Sequence, residues 1–216
     1  MTPGEIETAA RKKYNAYGDS FWDSSELMGL IYAGQNELAM RAKVIERTFT
    51  TPTVALVQEY ALPFFTIQIK RVTYDGYPLY PIDFKDDDMV TGGSSQTLDY
   101  GTPRYYILWN QSIFLRSIPS AVGEIRVFAA VAPQPVTLAS ELEVPVLFHH
   151  NIVDYLVREM FAKEREFSDM YRVYDERWER TISDAIKWTA LKKRGDQAAV
   201  VKDYADDAKY PWWGPR

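Results

Sequence analysis

The stretch Val72-Thr73-Tyr74-Asp75-Gly76-Tyr77-Pro78-Leu79-Tyr80 decides which kind of fold the middle of the chain adopts. Asp75-Gly76 lies between two runs of β-branched and aromatic residues, and this pattern predicts a β-hairpin with a two-residue turn. Pro78 has no N–H to donate to a strand ladder, so the second strand is expected to be short or to lie at a sheet edge. The apolar alternation of residues 65–69 changes phase around Lys70-Arg71, which predicts a β-bulge or a strand break there.

The same β character extends in both directions, from about Thr48 to Pro135, and helical periodicity is absent over this range. A second hairpin is predicted with its turn at Asn110-Gln111, and residues 125–131 alternate as expected for a final strand. Between the hairpins, the acidic and glycine-rich residues 86–95 are expected to form an exposed loop. Residues 48–136 are therefore predicted to be an antiparallel β-rich insertion.

Helical patterns precede this insertion. A first helix is predicted from Gly4 to Tyr17, and Asp23 can cap a second helix, with Glu26 completing a capping box. Phe21-Trp22 is placed to pack the start of that helix onto its buried face. The apolar stripe of the second helix comprises Leu27, Ile31, Gly34, Leu38, Ala42 and Ile45. Because glycine destabilises a helix, Gly34 on this stripe predicts the close approach of another backbone.

Helical patterns also follow the insertion. The broad apolar face of a third helix is predicted to comprise Val146, His150, Val153, Val157 and Met160, with Ile152 and Leu156 beside them. After a turn near residues 166–168, a last helix carries an aromatic stripe. Its members are Tyr171, Tyr174, Trp178, Ile182, Ala185 and Trp188. The pattern ends near residues 192–195.

These patterns together predict an α+β fold with three parts. The N- and C-terminal helices, residues 1–47 and 137–194, are expected to form one helical bundle, because neither pair of helices alone can bury its apolar stripe. Residues 48–136 form the inserted β-rich domain. Residues 195–216 form an extended C-terminal arm.

Composition excludes several classes of protein. The chain has 216 residues and no cysteine, so it has no disulfide framework and no cysteine-ligated metal site. Its net charge of −5 disfavours a non-specific DNA-binding protein. No targeting segment and no apolar run near the ~18 residues of a membrane span is apparent, so a membrane association is not expected. Aromatic residues make up 14% of the chain, and this surplus requires an explanation.

Few residue groups suggest catalysis or metal binding. His150 and Asp154 share a helical face next to His149, but no third strong ligand accompanies them, so one packed and one exposed histidine is the favoured interpretation. Asp86-Asp87-Asp88 lacks the spacing of a calcium loop and is expected to be a solvated charge run. Lys192-Lys193-Arg194 is interpreted as favouring the dipole of a helix end. With no nucleophile elbow, no phosphate-binding loop and no distinguished carboxylate pair, we expect neither an enzyme nor a cofactor.

The C-terminal arm carries the strongest functional signal. It is polar around Asp203, Asp206 and Asp207, yet it ends in two adjacent tryptophans. Exposed tryptophans favour an intended contact, so the arm is predicted to anchor on another subunit. The alternative is that the arm folds back onto the core of its own chain. The predicted partner-binding residues are Lys202, Tyr204, Tyr210, Pro211, Trp212 and Trp213.

In the order of its signals, the chain resembles the head-to-tail adaptor (connector) proteins of tailed bacteriophages. The stretches that carry the resemblance are FWDSSEL (21–27), NELA (36–39), QEYALP (58–63), IKRVTYDGYPL (69–79), GTPRYY (101–106) and IVDYL (152–156). The similarity covers roughly residues 3–190. The chain departs from the family pattern in its acidic 86–88 loop and in its Trp-Trp tail.

The resemblance implies a structural protein of the virion without catalytic residues or cofactor. Such proteins are made in the host cytoplasm and form a ring, usually twelvefold, in the neck between the portal and the tail. The implied partners are other copies of the chain, the portal protein, and tail or nozzle proteins. Genomic DNA would pass through the ring without specific binding. The C-terminal segment would reach up to the portal, and the β insertion would face the tail or a neighbouring subunit.

Two other hypotheses remain open. The chain could be another neck or tail-completion component, such as a tail terminator or a tail-tube subunit. A tail-associated lytic enzyme is the less favoured alternative.

Overall fold

The described part of the chain contains four α-helices that flank a β-rich region. A computed structural model describes residues 1–16, 21–85, 100–138, 140–165 and 169–198. The helices are α1 (Pro3–Tyr14), α2 (Ser24–Ala42), α3 (His149–Arg165) and α4 (Asp169–Ala198). A short 3₁₀ turn, Val146–Phe148, leads into α3.

Nine strands lie between α2 and α3 in the described residues. They are β1 (Glu46–Pro52), β2 (Glu59–Ala61), β3 (Thr66–Tyr74), β4 (Tyr77–Pro81), β5 (Tyr100–Gly101), β6 (Tyr105–Trp109), β7 (Ser112–Arg116), β8 (Ile118–Pro119) and β9 (Glu124–Val131). Seven of them form one curled sheet in the order β1-β9-β3-β4-β6-β7-β2, and β5 pairs with β8. The predicted α+β fold is confirmed. The insertion is mostly antiparallel rather than wholly so, because β4 with β6 and β5 with β8 are parallel pairs.

Both predicted hairpins are confirmed. Asp75 and Gly76 turn the chain with φ of 47° and 83°, the left-handed pair that a tight hairpin turn requires. Asn110 and Gln111 do the same between β6 and β7, with φ of 44° and 60°. The Asp75 carboxylate also accepts a hydrogen bond of 2.7 Å from the Glu124 backbone N–H, which fixes the first turn to β9.

The predicted bulge and the short strand at Pro78 are also found. The pairing of β3 with β9 shifts register between Ile69 and Arg71, beside the predicted Lys70-Arg71 position. The strand that contains Pro78, β4, has only five residues, as expected, but it is not an edge strand, since it has neighbours on both sides. Proline is tolerated because Pro78 is paired with Thr73 of β3 only, and the contact with β6 begins at Tyr80.

The helix ends follow local signals, with two corrections. Helix α1 starts with a capping box between Thr2 and Glu5 and ends at Tyr14, three residues earlier than predicted, because Asn15 adopts the left-handed conformation with φ of 65°. Asp23 caps α2 by accepting from the backbone N–H of Ser25, as predicted. Glu26 does not complete a capping box, since its carboxylate accepts from Lys163 of α3 at 2.6 Å.

The four helices bury one shared apolar core, and the aromatic stripe of α4 is confirmed. Its buried members are Tyr174, Trp178, Ile182 and Ala185. Helix α3 contributes Ile152, Val153, Tyr155, Leu156, Val157 and Met160. The predicted places of Val146 and His150 on this face are wrong, because Val146 precedes the α-helix and both are exposed. Trp22 is buried before α2 as expected, whereas Phe21 is 53% exposed.

The amino terminus meets the start of α3 at the buried His149. Its Nε2–H donates to the carbonyl oxygen of Val144 at 2.9 Å, and its Nδ1 accepts from the Met1 ammonium at 2.8 Å. Burial lowers the pKa of His149 below its usual value, and the positive charge on Met1 acts in the same direction.

A glycine, a tyrosine and a tryptophan pack against one another where α2, α3 and α4 meet. A Cβ atom on Gly34 would lie 2.7 Å from Cδ1 of Tyr155, and the Tyr155 ring lies 4.8 Å from that of Trp178. The predicted close approach at Gly34 is therefore found, but a side-chain ring approaches it rather than a backbone. Glycine at this position sets the distance between α2 and α3.

The substitution Gly34→Ala is expected to destabilise the fold by on the order of 1 kcal/mol. The added methyl group collides with Tyr155, and overpacking costs about 1–3 kcal/mol, which exceeds the ~1 kcal/mol gain in helix propensity. Gly29→Ala in the same helix is the control, because outside the adjacent residues and helix backbone no atom lies within 4 Å of its Cβ position, and the change should stabilise. Urea unfolding of both variants measures the difference, and a Gly34→Ala variant as stable as Gly29→Ala would show that Tyr155 can move aside.

The stability of the fold is expected to decrease as the pH falls from about 7 to 5.5, partly through His149. Above the ordinary pKa of ~6.5, histidine is neutral in both folded and unfolded chains. Below it the unfolded chain takes up a proton that the folded chain resists, so unfolding is favoured. His149→Gln should reduce this pH dependence in urea unfolding, and the exposed neighbour provides the control His150→Gln, which should retain it. Equal slopes in the two variants would contradict the assignment.

Candidate interaction surface

The predicted partner-binding segment follows α4 directly. That helix continues to Ala198, past Gly195, where the arm was predicted to begin. The predicted residues Lys202, Tyr204, Tyr210, Pro211, Trp212 and Trp213 lie outside the described residues, as does the acidic loop at residues 86–88. The C-terminal part of α4, from which the arm continues, is the described region that lies nearest to the arm residues in sequence.

The last part of α4 is fastened to the start of the β insertion. The Lys192 ammonium donates to the Glu46 carboxylate at 2.7 Å, and Lys70 of β3 pairs with the same carboxylate. Three residues before Lys192, the Thr189 hydroxyl donates to the carbonyl oxygen of Ala42 at 3.0 Å. We call Glu46, Lys70 and Lys192 the junction triad. It places Lys192, six residues before the end of α4, beside the first residue of β1.

The junction triad also determines the charge state of Glu46. Burial by itself raises the pKa of this carboxyl, but hydrogen bonds from Lys192 and Lys70 outweigh burial and hold the pKa below its usual value. The carboxylate therefore remains ionised at neutral pH and links a helix of the bundle to a strand of the sheet.

The β insertion exposes a row of aromatic side chains on its outer face. Leu79 of β4 points into the core, so the next residue, Tyr80, points outward and packs against Tyr105 of β6 at 6.3 Å between ring centroids. Phe84 lies 5.6 Å from Trp109, which is 62% exposed. We call Tyr80, Phe84, Tyr105 and Trp109 the outer aromatic face. Exposed aromatic pairs on one strand face are typical of a protein contact.

Sequence reasoning did not identify the outer aromatic face. Alternation along β4 and β6 contained the signal, but Tyr105 and Tyr106 are adjacent, and the residue types alone do not show which of the two is buried. In the structure Tyr106 is buried and Tyr105 is not.

The candidate metal and catalytic residues have structural partners. Both ring nitrogens of His149 are engaged, His150 is exposed, and Asp154 pairs with Lys13 of α1. The favoured interpretation of one packed and one exposed histidine is confirmed. Across the described ranges, no group of three or more His, Asp or Glu side chains is arranged to hold a metal ion. The Lys192-Lys193-Arg194 cluster lies within α4 rather than at its end, and Lys192 serves the junction triad.

No helix within the described residues is long and apolar enough to cross a membrane.

Replacing Glu46 by Gln is expected to loosen the end of α4. The change removes two partly exposed ion pairs, whose combined contribution is on the order of 1 kcal/mol or less. Hydrogen–deuterium exchange should become faster around Thr189 to Lys192, with little effect near Trp178. Glu176→Gln is the matched control, since it removes an exposed pair with Arg180 on the same helix. Unchanged exchange at Thr189 in the Glu46→Gln variant would show that the Thr189 hydrogen bond to Ala42 holds this part of the helix without the junction triad.

Comparison with known proteins identifies the family of the chain. The family model for the SU10 adaptor protein matches residues 1–202, which include all four helices and the whole β insertion. No curated protein matches the chain. The resemblance to phage adaptors noted in the sequence is thereby confirmed at the level of the family. The chain belongs to the SU10 adaptor protein family, whose members are structural phage adaptors rather than enzymes.

Proposed function

We propose that the chain is a head-to-tail adaptor that forms a ring, twelvefold, between the portal and the tail in the neck of the virion. The family match over residues 1–202 carries this proposal, because it spans both helical ends and the insertion rather than one common motif. In the assembled particle the ring continues the channel through which the genomic DNA passes. A net charge of −5 suits a channel in which DNA slides without being held.

The C-terminal arm is the proposed contact with the portal, through Lys202, Tyr204, Tyr210, Pro211, Trp212 and Trp213. The junction triad supports this role because it gives the arm a defined point of departure. The residues after Ala198 number 18 and can span up to about 60 Å when extended. Tryptophans at the end of such an arm are suited to act as binding hot spots.

The outer aromatic face is a proposed contact within the ring or with the tail. A ring uses head-to-tail interfaces, so each subunit buries two different surfaces. Exposed Tyr80 and Trp109 are residue types enriched in protein interfaces. Residues 1–47 and 137–194 would then act as the bundle domain, and residues 48–136 as the domain that faces tail or nozzle proteins or the neighbouring subunit.

Binding to the cognate portal tests this proposal. Native mass spectrometry of the mixture is expected to show twelve copies per portal, and the double variant Trp212→Ala, Trp213→Ala should weaken binding at least tenfold, a loss of ~1.4 kcal/mol or more. Tyr77→Ala serves as the control, because Tyr77 is an exposed aromatic residue at a hairpin far from the arm in sequence. Monomers without portal binding would contradict the proposal, and binding to tail proteins alone would favour a tail-completion component. Clearing of peptidoglycan by the purified chain would instead favour a lytic enzyme.

A further inference from the structure

The curled sheet is incomplete between β3 and β6. Strand β4 pairs with β3 only over Val72–Tyr74, meets β6 at Tyr105 and Tyr106, and then ends at Pro81. Beyond that point, the first half of β3 and the end of β6 face each other across a cleft of about 510 Å³. Residues 66–69 and 108–112 line its two sides. We call this space the strand cleft.

The strand cleft has apolar walls and also polar groups that have no hydrogen-bond partner among the described residues. Leu108 and Trp109 are 47% and 62% exposed there, opposite Ile67 and Ile69 of β3. Because Trp109 and Ser112 close the two-residue hairpin, the N–H and C=O groups of Leu108 point away from β7 and toward the cleft. The backbone pairing of β6 with β4 ends before Leu108. The hydroxyl of Thr66 is buried without a hydrogen-bond partner within the described ranges.

These features fit an extended peptide that carries large apolar side chains. Such a peptide, laid in line with β4, would pair with β6 on one side and with β3 on the other, which is the geometry of strand addition. Its backbone would supply partners for Leu108, and its side chains would cover Leu108 and Trp109.

We propose that the strand cleft holds the C-terminal segment of the same chain, Tyr210-Pro211-Trp212-Trp213, while the subunit is free. The junction triad brings the last two turns of α4, from which the arm continues, close to the cleft. Lys192 contacts Glu46, Glu46 is paired with Ala130 of β9, and Ala130 is paired with Gln68 of β3. Two strand spacings of ~4.8 Å put Gln68, in the cleft wall, about 10 Å from Glu46. The residues from 199 to 210 can span about 40 Å, which is longer than the distance that the arm has to cover to reach the cleft.

Charge along this path favours the same occupant. Arg71 is exposed on β3 next to the cleft, where its guanidinium lies 6.0 Å from the Phe128 ring centroid. No carboxylate of the described residues forms an ion pair with Arg71. The arm carries Asp203, Asp206 and Asp207 just before its aromatic end. Acidic residues that pass Arg71 would gain a cationic neighbour on the way to the cleft.

Disulfide trapping in the free subunit tests the proposal without background, because the chain has no cysteine. One variant combines Gln68→Cys in the cleft wall with Gly214→Cys beside the tryptophans. The control combines Thr50→Cys with Gly214→Cys. Thr50 is exposed on β1, about 14 Å along the strand from Glu46, and is thus equally within reach of the arm. At dilute concentration, the cleft pair is expected to close an intramolecular disulfide about tenfold faster than the control pair.

Two further changes in the cleft-pair background keep the test specific. Leu108→Asp puts a charge into the cleft, and Trp212→Ala with Trp213→Ala removes the side chains that are proposed to fill it. Each change is expected to lower the rate of disulfide formation by the cleft pair to that of the control pair. Circular dichroism verifies that Leu108→Asp remains folded. Equal rates for the two cysteine pairs, or disulfides mainly between two chains, would overturn the proposal. Portal binding is measured separately, so a failure here leaves the proposed adaptor role standing, and the reverse also holds.

Discussion

The packing of Gly34 against Tyr155 and of Tyr155 against Trp178 is the contact on which the rest of the structure depends. It joins α2, from before the β insertion, to α3 and α4, from after it. The bundle therefore forms only when residues more than a hundred positions apart come into contact. The first and last strands of the insertion must then lie close together. Because α2 ends and α3 begins on the same side of the bundle, β1 and β9 emerge side by side, with Glu46 paired to Ala130.

This arrangement makes β9 the organising strand of the insertion. It pairs with β1 on one side and with β3 on the other, and every second side chain from Ile125 to Val131 is buried. The middle of the sheet is less complete. Strand β4, between β3 and β6, is too short to cover either of them fully, and the strand cleft results from that shortness. The surplus of aromatic residues in the chain is thus divided between a buried stripe on α4 and exposed surface on the insertion.

Local signals were predictable, and long-range ones were not. The turns at Asp75 and Asn110, the Asp23 cap and the α4 stripe each depend on residues within a few positions of one another, and all were predicted correctly. The predicted capping box at Glu26 was wrong, because Lys163, which is distant in sequence, binds the Glu26 carboxylate. The strand cleft could not be predicted, since it depends on the parallel pairing of β4 with β6. The family resemblance identified the class of protein, but it did not reveal the outer aromatic face.

The junction triad has a mechanical consequence. A pull on the residues after Ala198 reaches the Lys192–Glu46 ion pair and the Thr189 hydrogen bond before it reaches the apolar core of the bundle. Because Glu46 is also paired with Lys70 of β3, the force acts on both the helix and the sheet and does not separate α4 from one end alone. A force applied at the C-terminal part of α4 is therefore transmitted to the helical bundle and to the sheet together.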